Sequence, residues 1–297
     1  YDTDGITASS IMYWFFKEKF GVEIKCYIPE RVEGYGLKNH IIDYALDNGY
    51  DFIITVDNGI AAIEPVKYAK EKGLTIIITD HHQIQDGEIP IADAVCNTVQ
   101  PDCQYRDKYI SGVGMAWNIC RNIDYDIALD LLPIVAVGTI ADVVPLIKEN
   151  RIYVNEGLKI KPKDKFIGLR KLMKHSGLTQ MTSLDVGFKI APIINSAGRE
   201  GFAQKAFQLL TETSEENVES IFKEMLDFND SRKETQKEIE EDIAPKIEAE
   251  GKHSLTIFPE KGAYYSASVV GIVASKIVEK YKLPTIIFAE KEVEFDG

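Results

Sequence analysis

The stretch Leu74-Thr75-Ile76-Ile77-Ile78-Thr79-Asp80-His81-His82 decides the fold class, because a continuous apolar run ends there in a carboxylate and two imidazoles. An unbroken run of this kind is typical of a strand in a parallel sheet that helices cover on both faces. A second run, 52–56, ends in Asp57. Ligands of such sheets bind beyond the carboxyl ends of the strands, so Asp57 and the Asp80–His82 triplet are expected at one edge.

Helical and strand patterns alternate through the first two-thirds of the sequence, which predicts a doubly wound α/β domain with a parallel sheet. Helices are expected where apolar residues recur at intervals of three and four, and strands where they run continuously. The predicted helices here are 6–20, 38–48, 60–72, 112–119 and 127–140, and the predicted strands are 23–28, 51–56, 74–79 and 92–96.

The sequence changes character at 213–250, a charged segment whose apolar spacing predicts one long helix or two. A new unit is predicted after His253, with strands 255–258 and 285–289 and a helix 268–281 between them. We therefore expect a catalytic α/β domain at 1–200, a helical connector at 201–250 and a partial second α/β domain at 251–297. The sequence begins without Met and stops before an α/β layer is complete, so we expect a fragment cut at both ends.

The composition sets broad limits. The 297 residues are 45% hydrophobic and 27% charged, as in an ordinary globular protein. No apolar run approaches the roughly 18 residues of a membrane span, so no membrane partner is expected. The net charge of −13 argues against wide electrostatic capture of nucleic acid, yet a local groove or bound metals could still hold it. Four cysteines without a C-x-x-C pair predict reduced thiols and a cytoplasmic location.

Further carboxylates suggest a metal site. Asp2 and Asp4 lie in the opening Tyr1-Asp2-Thr3-Asp4-Gly5, and Asp142 ends the apolar run 131–141. Two like charges about 4 Å apart cost roughly 4 kcal/mol at an effective dielectric of 20, so gathered carboxylates must bind cations, protonate or lie apart. Taken singly, an aspartate at a strand end is often a turn or cap residue, and that alternative stays open.

Taken together, the carboxylates and imidazoles predict two-metal hydrolysis of a phosphoester, with two divalent ions about 3.5–4 Å apart. We expect Asp57 to bridge the ions and His82 to face the substrate. Asp80 is expected to orient an imidazole, because metal-bound histidines usually donate their other N–H to such a group. The expected metal ligands are Asp2, Asp4, Asp57, His81 and Asp142, and the expected catalytic residues are Asp57, His81, His82 and Asp142.

Several segments give the sequence a family resemblance. They are Tyr1–Gly5, Pro29-Glu30-Arg31-Val32-Glu33-Gly34-Tyr35-Gly36-Leu37, Val56-Asp57-Asn58-Gly59, Asp80-His81-His82, Gly138-Thr139-Ile140-Ala141-Asp142-Val143-Val144-Pro145-Leu146, Asn195-Ser196-Ala197-Gly198-Arg199 and Val270-Gly271-Ile272-Val273-Ala274-Ser275. The Asp-His-His triplet resembles the DHH phosphoesterase superfamily. Within that superfamily, the segments that contain Arg31, Asn195 and Val270 resemble those of the RecJ single-stranded-DNA exonucleases.

The resemblance implies an activity and a set of contacts. It implies manganese or magnesium dependence, 5′→3′ removal of 5′-mononucleotides from single-stranded DNA in repair and recombination, and a helicase or single-strand-binding protein as partner. It implies that Arg31 binds the 5′-terminal phosphate and Arg199 a phosphate near the scissile bond, which suits planar guanidinium groups. Asn195 and His82 are the other substrate-binding residues that it implies.

The sequence departs from the family pattern in three places. The family has an Asp, sometimes a His, immediately before the residue equivalent to Tyr1. Tyr265-Ser266 stands where the family usually has a Trp-His pair. A Gly-Ser-Gly-Arg-Ser-type segment that helps to hold the 5′ phosphate would follow Gly297.

Two other functions stay open. One is a DHH phosphoesterase for small substrates, such as oligonucleotides, cyclic dinucleotides or pyrophosphate. The other is a non-catalytic scaffold with the same fold, which should show eroded ligands. Every ligand position that this sequence covers is intact, which favours an enzyme.

Overall fold

The computed structural model describes residues 1–85, 87–247, 253–259 and 264–289. It divides the chain into two compact units, Tyr1–Met225 and Leu226–Gly297. The helices are α1 (Thr3–Phe20), α2 (Asn39–Asp47), α3 (Ile63–Glu71), α4 (Gly112–Ile123), α5 (Tyr125–Ala141), α6 (Lys148–Gly157), α7 (Ile167–His175), α8 (Ser183–Asp185), α9 (Ala191–Arg199), α10 (Ala203–Thr211), α11 (Glu215–Ile243) and α12 (Val270–Tyr281). The strands are β1 (Phe52–Val56), β2 (Thr75–Thr79), β3 (Ala94–Cys96), β4 (Leu255–Ile257) and β5 (Thr285–Ile287).

The first unit contains a parallel sheet in the order β1-β2-β3. Its register places Val56 beside Thr79 and Thr79 beside Cys96, so the three strands end level with one another. The residues that follow the strands therefore meet at one edge of the sheet. The predicted α/β class with a parallel sheet is confirmed.

Helices pack against this sheet because its strands are apolar. Ile76 and Ile78 of β2 are buried in one cluster with Ile42 of α2 and with Val66 and Ala69 of α3. Each fully buried aliphatic side chain contributes roughly 1.5–3 kcal/mol to folding. Helices α1 and α4 also lie against β1. These packed layers fix the carboxyl edge of the sheet in place.

Helix α1 begins earlier than the apolar pattern predicts. Asp2 is its N-cap, and the Asp2 carboxylate accepts a hydrogen bond from the Gly5 amide. The helix packs closely on α5, because a Cβ on Gly138 would overlap Thr7 Oγ1. The opening residues thus belong to a buried helix that carries Asp4 into the interior.

The predicted strand at 23–28 is wrong, since this segment is irregular and, in the described part of the chain, pairs with no strand. The physical reason is separation: a cavity of about 600 Å³ is lined by residues 22–29 on one side and by β1 on the other. Pairing requires strands about 4.8 Å apart, which the cavity prevents. The apolar pattern alone also missed α6, α7 and α10.

The second unit, Leu226–Gly297, contains β4 and β5 as a parallel pair, with the end of α11 and with α12 packed against them. Helix α11 ends at Ile243, and a 3-10 turn, Ala244–Lys246, follows. The ends of the predicted connector (248–250) and of the partial domain (290–297) lie outside the described residues, as do 251, 252 and 260–263. The predicted three-part division of the chain stays a prediction.

Among the described helices, none combines the length and the hydropathy that a membrane crossing would require.

Candidate metal centre

Asp57 directly follows β1 in an unusual backbone conformation. Its φ is 57°, in the left-handed region that non-glycine residues rarely adopt. The side chain is almost fully buried, and Gly112 at the start of α4 makes room for it, since a Cβ there would overlap the Asp57 carboxylate. A strained and buried carboxylate of this kind is typical of a functional site.

Asp4 is fixed by the N-terminus of a second helix. Its two carboxylate oxygens accept hydrogen bonds from the amides of Gly112 (2.7 Å) and Val113 (2.8 Å) in the first turn of α4. The side chain is 1% exposed. The free amides at a helix N-terminus stabilise a negative charge, so they hold Asp4 with both oxygens oriented.

The imidazole of His81 lies close to three of the carboxylates. Its Nε2 lies 3.0 Å from Asp57 Oδ1, 3.7 Å from Asp4 Oδ2 and 3.8 Å from Asp142 Oδ2. Asp142 is the C-cap of α5. Four residues from four separate parts of the chain thus direct ligand atoms toward a common point.

Three of these ligand atoms are buried and, among the described residues, lack a hydrogen-bond partner: Asp57 Oδ1, His81 Nε2 and Asp142 Oδ2. We call them the orphan atoms. Their mutual contacts lack hydrogen-bond geometry even where the distance is short. Burying unsatisfied polar atoms costs about 1–3 kcal/mol each, so they need a further partner. Carboxylate oxygen and imidazole nitrogen are ligands of Mn²⁺ and related divalent ions, so the site fits a metal.

The carboxylates also have the electrostatics of a cation-binding site. Burial raises the pKa of Asp4 well above its usual value, and the charges of Asp57 and Asp142 raise it further. Burial likewise raises the pKa of Asp57, with the charge of Asp2 adding to it, and burial raises the pKa of Asp142. A divalent cation would offset this repulsion.

Asp2 lies beside this cluster. Its Oδ1 accepts from the Gly5 amide at 3.1 Å, and both the Asp2 and Asp57 carboxylates lie against Gly5. The geometric groups that could hold an ion are Asp57 with His81 and His82, and Asp4 with His81 and Asp142. The structure thus brings the five predicted ligands into one neighbourhood.

Asp80, by contrast, is fully engaged. Its Oδ1 accepts from the backbone amides of His81 and His82 and from the His82 ring at 2.7 Å, and its Oδ2 accepts from the Ile60 amide at 2.9 Å. Burial alone would raise the pKa of Asp80, but the hydrogen bonds from His82 and Ile60 hold it below its usual value.

His82 is the exposed member of the triplet, with 59% of its side chain accessible. The hydrogen bond between its Nδ1 and Asp80 raises the pKa of the imidazole. With Nδ1 bound to Asp80, the other ring nitrogen, Nε2, is the one available to a substrate. The imidazole that Asp80 orients is therefore that of His82.

The three remaining predicted substrate residues are placed as follows. Arg31 begins a 3-10 turn, and its guanidinium lies over the Tyr1 ring at 5.7 Å from the centroid. Tyr1 in turn packs on Tyr35, with ring centroids 4.4 Å apart. Arg199 is half-buried in the last turn of α9. The Asn195 side-chain oxygen accepts hydrogen bonds from Thr3.

Sequence reasoning missed two groups at the site. The Gly112 and Val113 amides hold Asp4, and Asn97 donates a hydrogen bond from Nδ2 to the His82 carbonyl at 2.9 Å. Asn97 directly follows β3, so the strand-end rule that identified Asp57 and Asp80 could have found it. Ser111, the N-cap of α4, marks the helix start that holds Asp4.

Comparison with known proteins shows which family this chain resembles. The model of the DHH family, N-terminal domain, matches residues 1–139. The single-stranded-DNA-specific exonuclease RecJ of Bacillus subtilis is 36% identical over 98% of this chain and 37% of its own length.

Two solved structures are similar to most of this chain. Exonuclease RecJ bound to manganese has a TM-score of 0.82 at 31% identity, with 97% of this chain and 73% of that chain covered. RecJ from Thermus thermophilus in complex with Mg²⁺ has a TM-score of 0.72 at 27% identity, with 97% and 39% covered.

The chain spans 37% to 54% of the length of the curated RecJ relatives that it matches. Within that span the fold is shared across nearly the whole chain, and the Asp-His-His triplet lies at the carboxyl edge of the sheet with its surrounding carboxylates. The chain therefore belongs to the DHH family and, within it, to the RecJ group.

Proposed function

We propose that this chain is the metal-dependent nuclease core of an exonuclease that degrades single-stranded DNA from the 5′ end to 5′-mononucleotides, in DNA repair and recombination. The observation that carries the proposal is the convergence of the three orphan atoms at the carboxyl edge of the parallel sheet. Without a cation, three buried ligand atoms would be left unsatisfied in one small volume.

The metal-holding residues that we propose are Asp2, Asp4, Asp57, His81 and Asp142. They would hold two Mn²⁺ or Mg²⁺ ions, the metals in the similar RecJ structures. Asp57 is the proposed bridge, because its buried carboxylate lies between the Asp2 side and the His81 side of the cluster. Bound there, two such ions would supply an activated water molecule and would stabilise the charge that develops on the phosphate.

His82 is the proposed proton-handling group. Its pKa is raised by Asp80, so the imidazole carries a proton over a wider pH range than a free histidine. Because Nδ1 faces Asp80, the outward nitrogen can donate a hydrogen bond to a phosphate oxygen or a proton to the leaving group.

Single-stranded DNA is the proposed substrate, because the RecJ relatives are single-stranded-DNA-specific exonucleases. With a net charge of −13, this chain must hold DNA through local contacts. We propose Arg31 for the 5′-terminal phosphate and Arg199 for a phosphate near the scissile bond. The aromatic rings of Tyr1 and Tyr35 beside Arg31 offer a stacking surface for the terminal base.

The proposal extends to the cellular setting. A helicase or a single-strand-binding protein would supply the unwound strand that the site requires. The cytoplasm, where four free cysteines stay reduced, is the proposed location.

The test is a time course with the 297-residue chain, Mn²⁺ and a 5′-phosphorylated, 3′-labelled single-stranded DNA. We expect progressive shortening from the 5′ end, and we expect none with Asp57→Asn. Asp43→Asn is the matched control, because this exposed carboxylate accepts a hydrogen bond from Tyr68 and, among the described residues, belongs to neither candidate metal group.

The other functions predict different results. Hydrolysis of dinucleotides without shortening of the longer DNA would indicate a small-substrate phosphoesterase. No hydrolysis of either substrate, with Mn²⁺ left unbound, would contradict the enzyme proposal and favour a scaffold.

A further inference from the structure

We propose that Asn195 is a positioning residue that holds the Asp2–Asp4 segment for metal binding, and that it does not contact the substrate. This inference rests on the proposed metal site and deepens it. It differs from the substrate-binding role that the family resemblance implies for this residue.

The first observation is a double hydrogen bond. The backbone amide and the Oγ1 hydroxyl of Thr3 both donate to Asn195 Oδ1, each at 2.9 Å, across 192 residues of sequence. Thr3 is 1% exposed and lies between the two proposed ligands Asp2 and Asp4. The Thr3 amide is one of the first in α1 and has no acceptor within the helix, so Asn195 satisfies it.

The second observation is a close backbone contact one turn further along α9. Gly198 packs on the Tyr1 carbonyl so tightly that a Cβ would overlap the carbonyl oxygen. Ser196, on the same helix, contacts α9 itself, since its Oγ donates to the Ile193 carbonyl at 2.7 Å. Helix α9 therefore meets the opening segment at two points, Tyr1 and Thr3.

The opening segment is held from another helix as well. The Gly112 and Val113 amides of α4 bind the Asp4 carboxylate. Residues 1–4 are thus held by α9 at Tyr1 and Thr3 and by α4 at Asp4, with Asp2 between the two α9 contacts. Groups next to metal ligands that fix ligand position typically change metal affinity about 10–100-fold when removed.

The chemistry of the contact identifies the role. The oxygen of Asn195 is the atom in use, and an oxygen would repel a phosphate. A phosphate contact would have to use the amide Nδ2 instead. The two roles therefore separate in Asn195→Asp, which keeps an acceptor oxygen for Thr3 but replaces the N–H donors with a negative charge.

The experiment is titration of the metal-free 297-residue chain with Mn²⁺, with free Mn²⁺ followed by electron paramagnetic resonance. We expect Asn195→Ala to weaken Mn²⁺ binding by about 10-fold or more, and Asn195→Asp to stay within about 3-fold of the parent chain. The matched control is Ser196→Ala, on the same helix, which removes a hydrogen bond without touching residues 1–4. It should lower thermal stability and leave Mn²⁺ affinity unchanged.

A double-mutant cycle with Thr3→Val sharpens the test. Thr3→Val keeps the side-chain shape and removes one of the two donors, so its effect on Mn²⁺ affinity should largely vanish in the Asn195→Ala background. Unchanged Mn²⁺ affinity in Asn195→Ala, with a raised KM for DNA in both Asn195 variants, would overturn the positioning role alone. A parent chain that binds no Mn²⁺ would overturn the proposed metal site, and the positioning role with it.

Discussion

The ends of β1 and β2 invite comparison, because neighbouring parallel strands with matched register deliver an aspartate to the same edge. Asp80, after β2, accepts three backbone hydrogen bonds and one from the His82 ring, and its pKa is low. Asp57, after β1, is nearly as buried, carries an orphan atom and has a raised pKa. The two aspartates thus occupy equivalent positions on one sheet, yet the pKa of Asp57 is raised and the pKa of Asp80 is lowered.

The difference separates two uses of a buried carboxylate. A carboxylate whose oxygens accept hydrogen bonds from the chain's own donors stabilises the fold. Asp80 does so by joining Ile60, in the turn after β1, to His82, in the loop after β2. A buried carboxylate that faces other carboxylates destabilises the metal-free chain and is typical of a binding or catalytic site. Substitutions of the two residues should therefore differ in sign as well as in size.

The largest expected effect is the loss of cleavage in Asp57→Asn. Removing the proposed bridging ligand should lower the rate of DNA hydrolysis at least about 1,000-fold, since the metal-stabilised charge is lost. The same substitution should raise the free energy of unfolding of the metal-free chain by about 1–3 kcal/mol, because it removes a buried like charge. Urea denaturation at neutral pH measures this rise. A fall instead would mean that Asp57 is a scaffold carboxylate like Asp80.

Asp80→Ala tests the opposite half of the comparison. It leaves the buried amide of Ile60 and the partly buried amides of His81 and His82 without their acceptor, so the free energy of unfolding should fall by roughly 3 kcal/mol. The same urea denaturation, run without metal, measures it. Equal stability in parent and variant would show that the Asp80 hydrogen bonds are not what distinguishes the two strand ends.

Addition of Mn²⁺ should offset the repulsion between Asp57 and the neighbouring carboxylates and so stabilise the folded chain. Mn²⁺ at about 100 times its dissociation constant should raise the free energy of unfolding of the parent chain by about 2.7 kcal/mol, because it binds only the folded state. Asp57→Asn should show little of this rise, whereas Asp43→Asn should show all of it. Differential scanning calorimetry with and without Mn²⁺ reads the effect, and an equal rise in Asp57→Asn would place the ion elsewhere.

The smallest expected effect is on pH dependence. The pKa values of Asp4, Asp57 and Asp142 are raised in the folded chain above the usual 3.8, so between these values the folded state binds more protons than the unfolded state. Stability of the metal-free chain should therefore fall as pH rises through that window. Asp57→Asn should flatten this slope, and a parent chain that gains stability over the window would contradict the assignment.

The sequence predicted the parts of the site that depend on local pattern. Asp57, Asp80 and His81 were found because each follows an apolar strand, and strand ends meet at one edge whatever the details of packing. Asp142 was found because an apolar helix ends there. These positions can be predicted without knowing which distant residues they contact.

The contacts that the sequence did not predict join residues far apart along the chain. The Gly112 amide that holds Asp4 lies 108 positions away, and Asn195 lies 192 positions from Thr3. Residues 23–28 have strand composition, but a strand exists only where a neighbour lies within hydrogen-bonding distance, and a cavity separates them from β1. Neither kind of contact produces a periodic pattern of apolar residues in the sequence.

Anomalous X-ray diffraction from crystals of the chain grown with MnCl₂ tests the central claim most directly. We expect a manganese peak at about 2.0–2.4 Å from the three orphan atoms, Asp57 Oδ1, His81 Nε2 and Asp142 Oδ2, with Asp80 outside the coordination shell. Manganese bound to Asp80, or no manganese at this edge of the sheet, would contradict it.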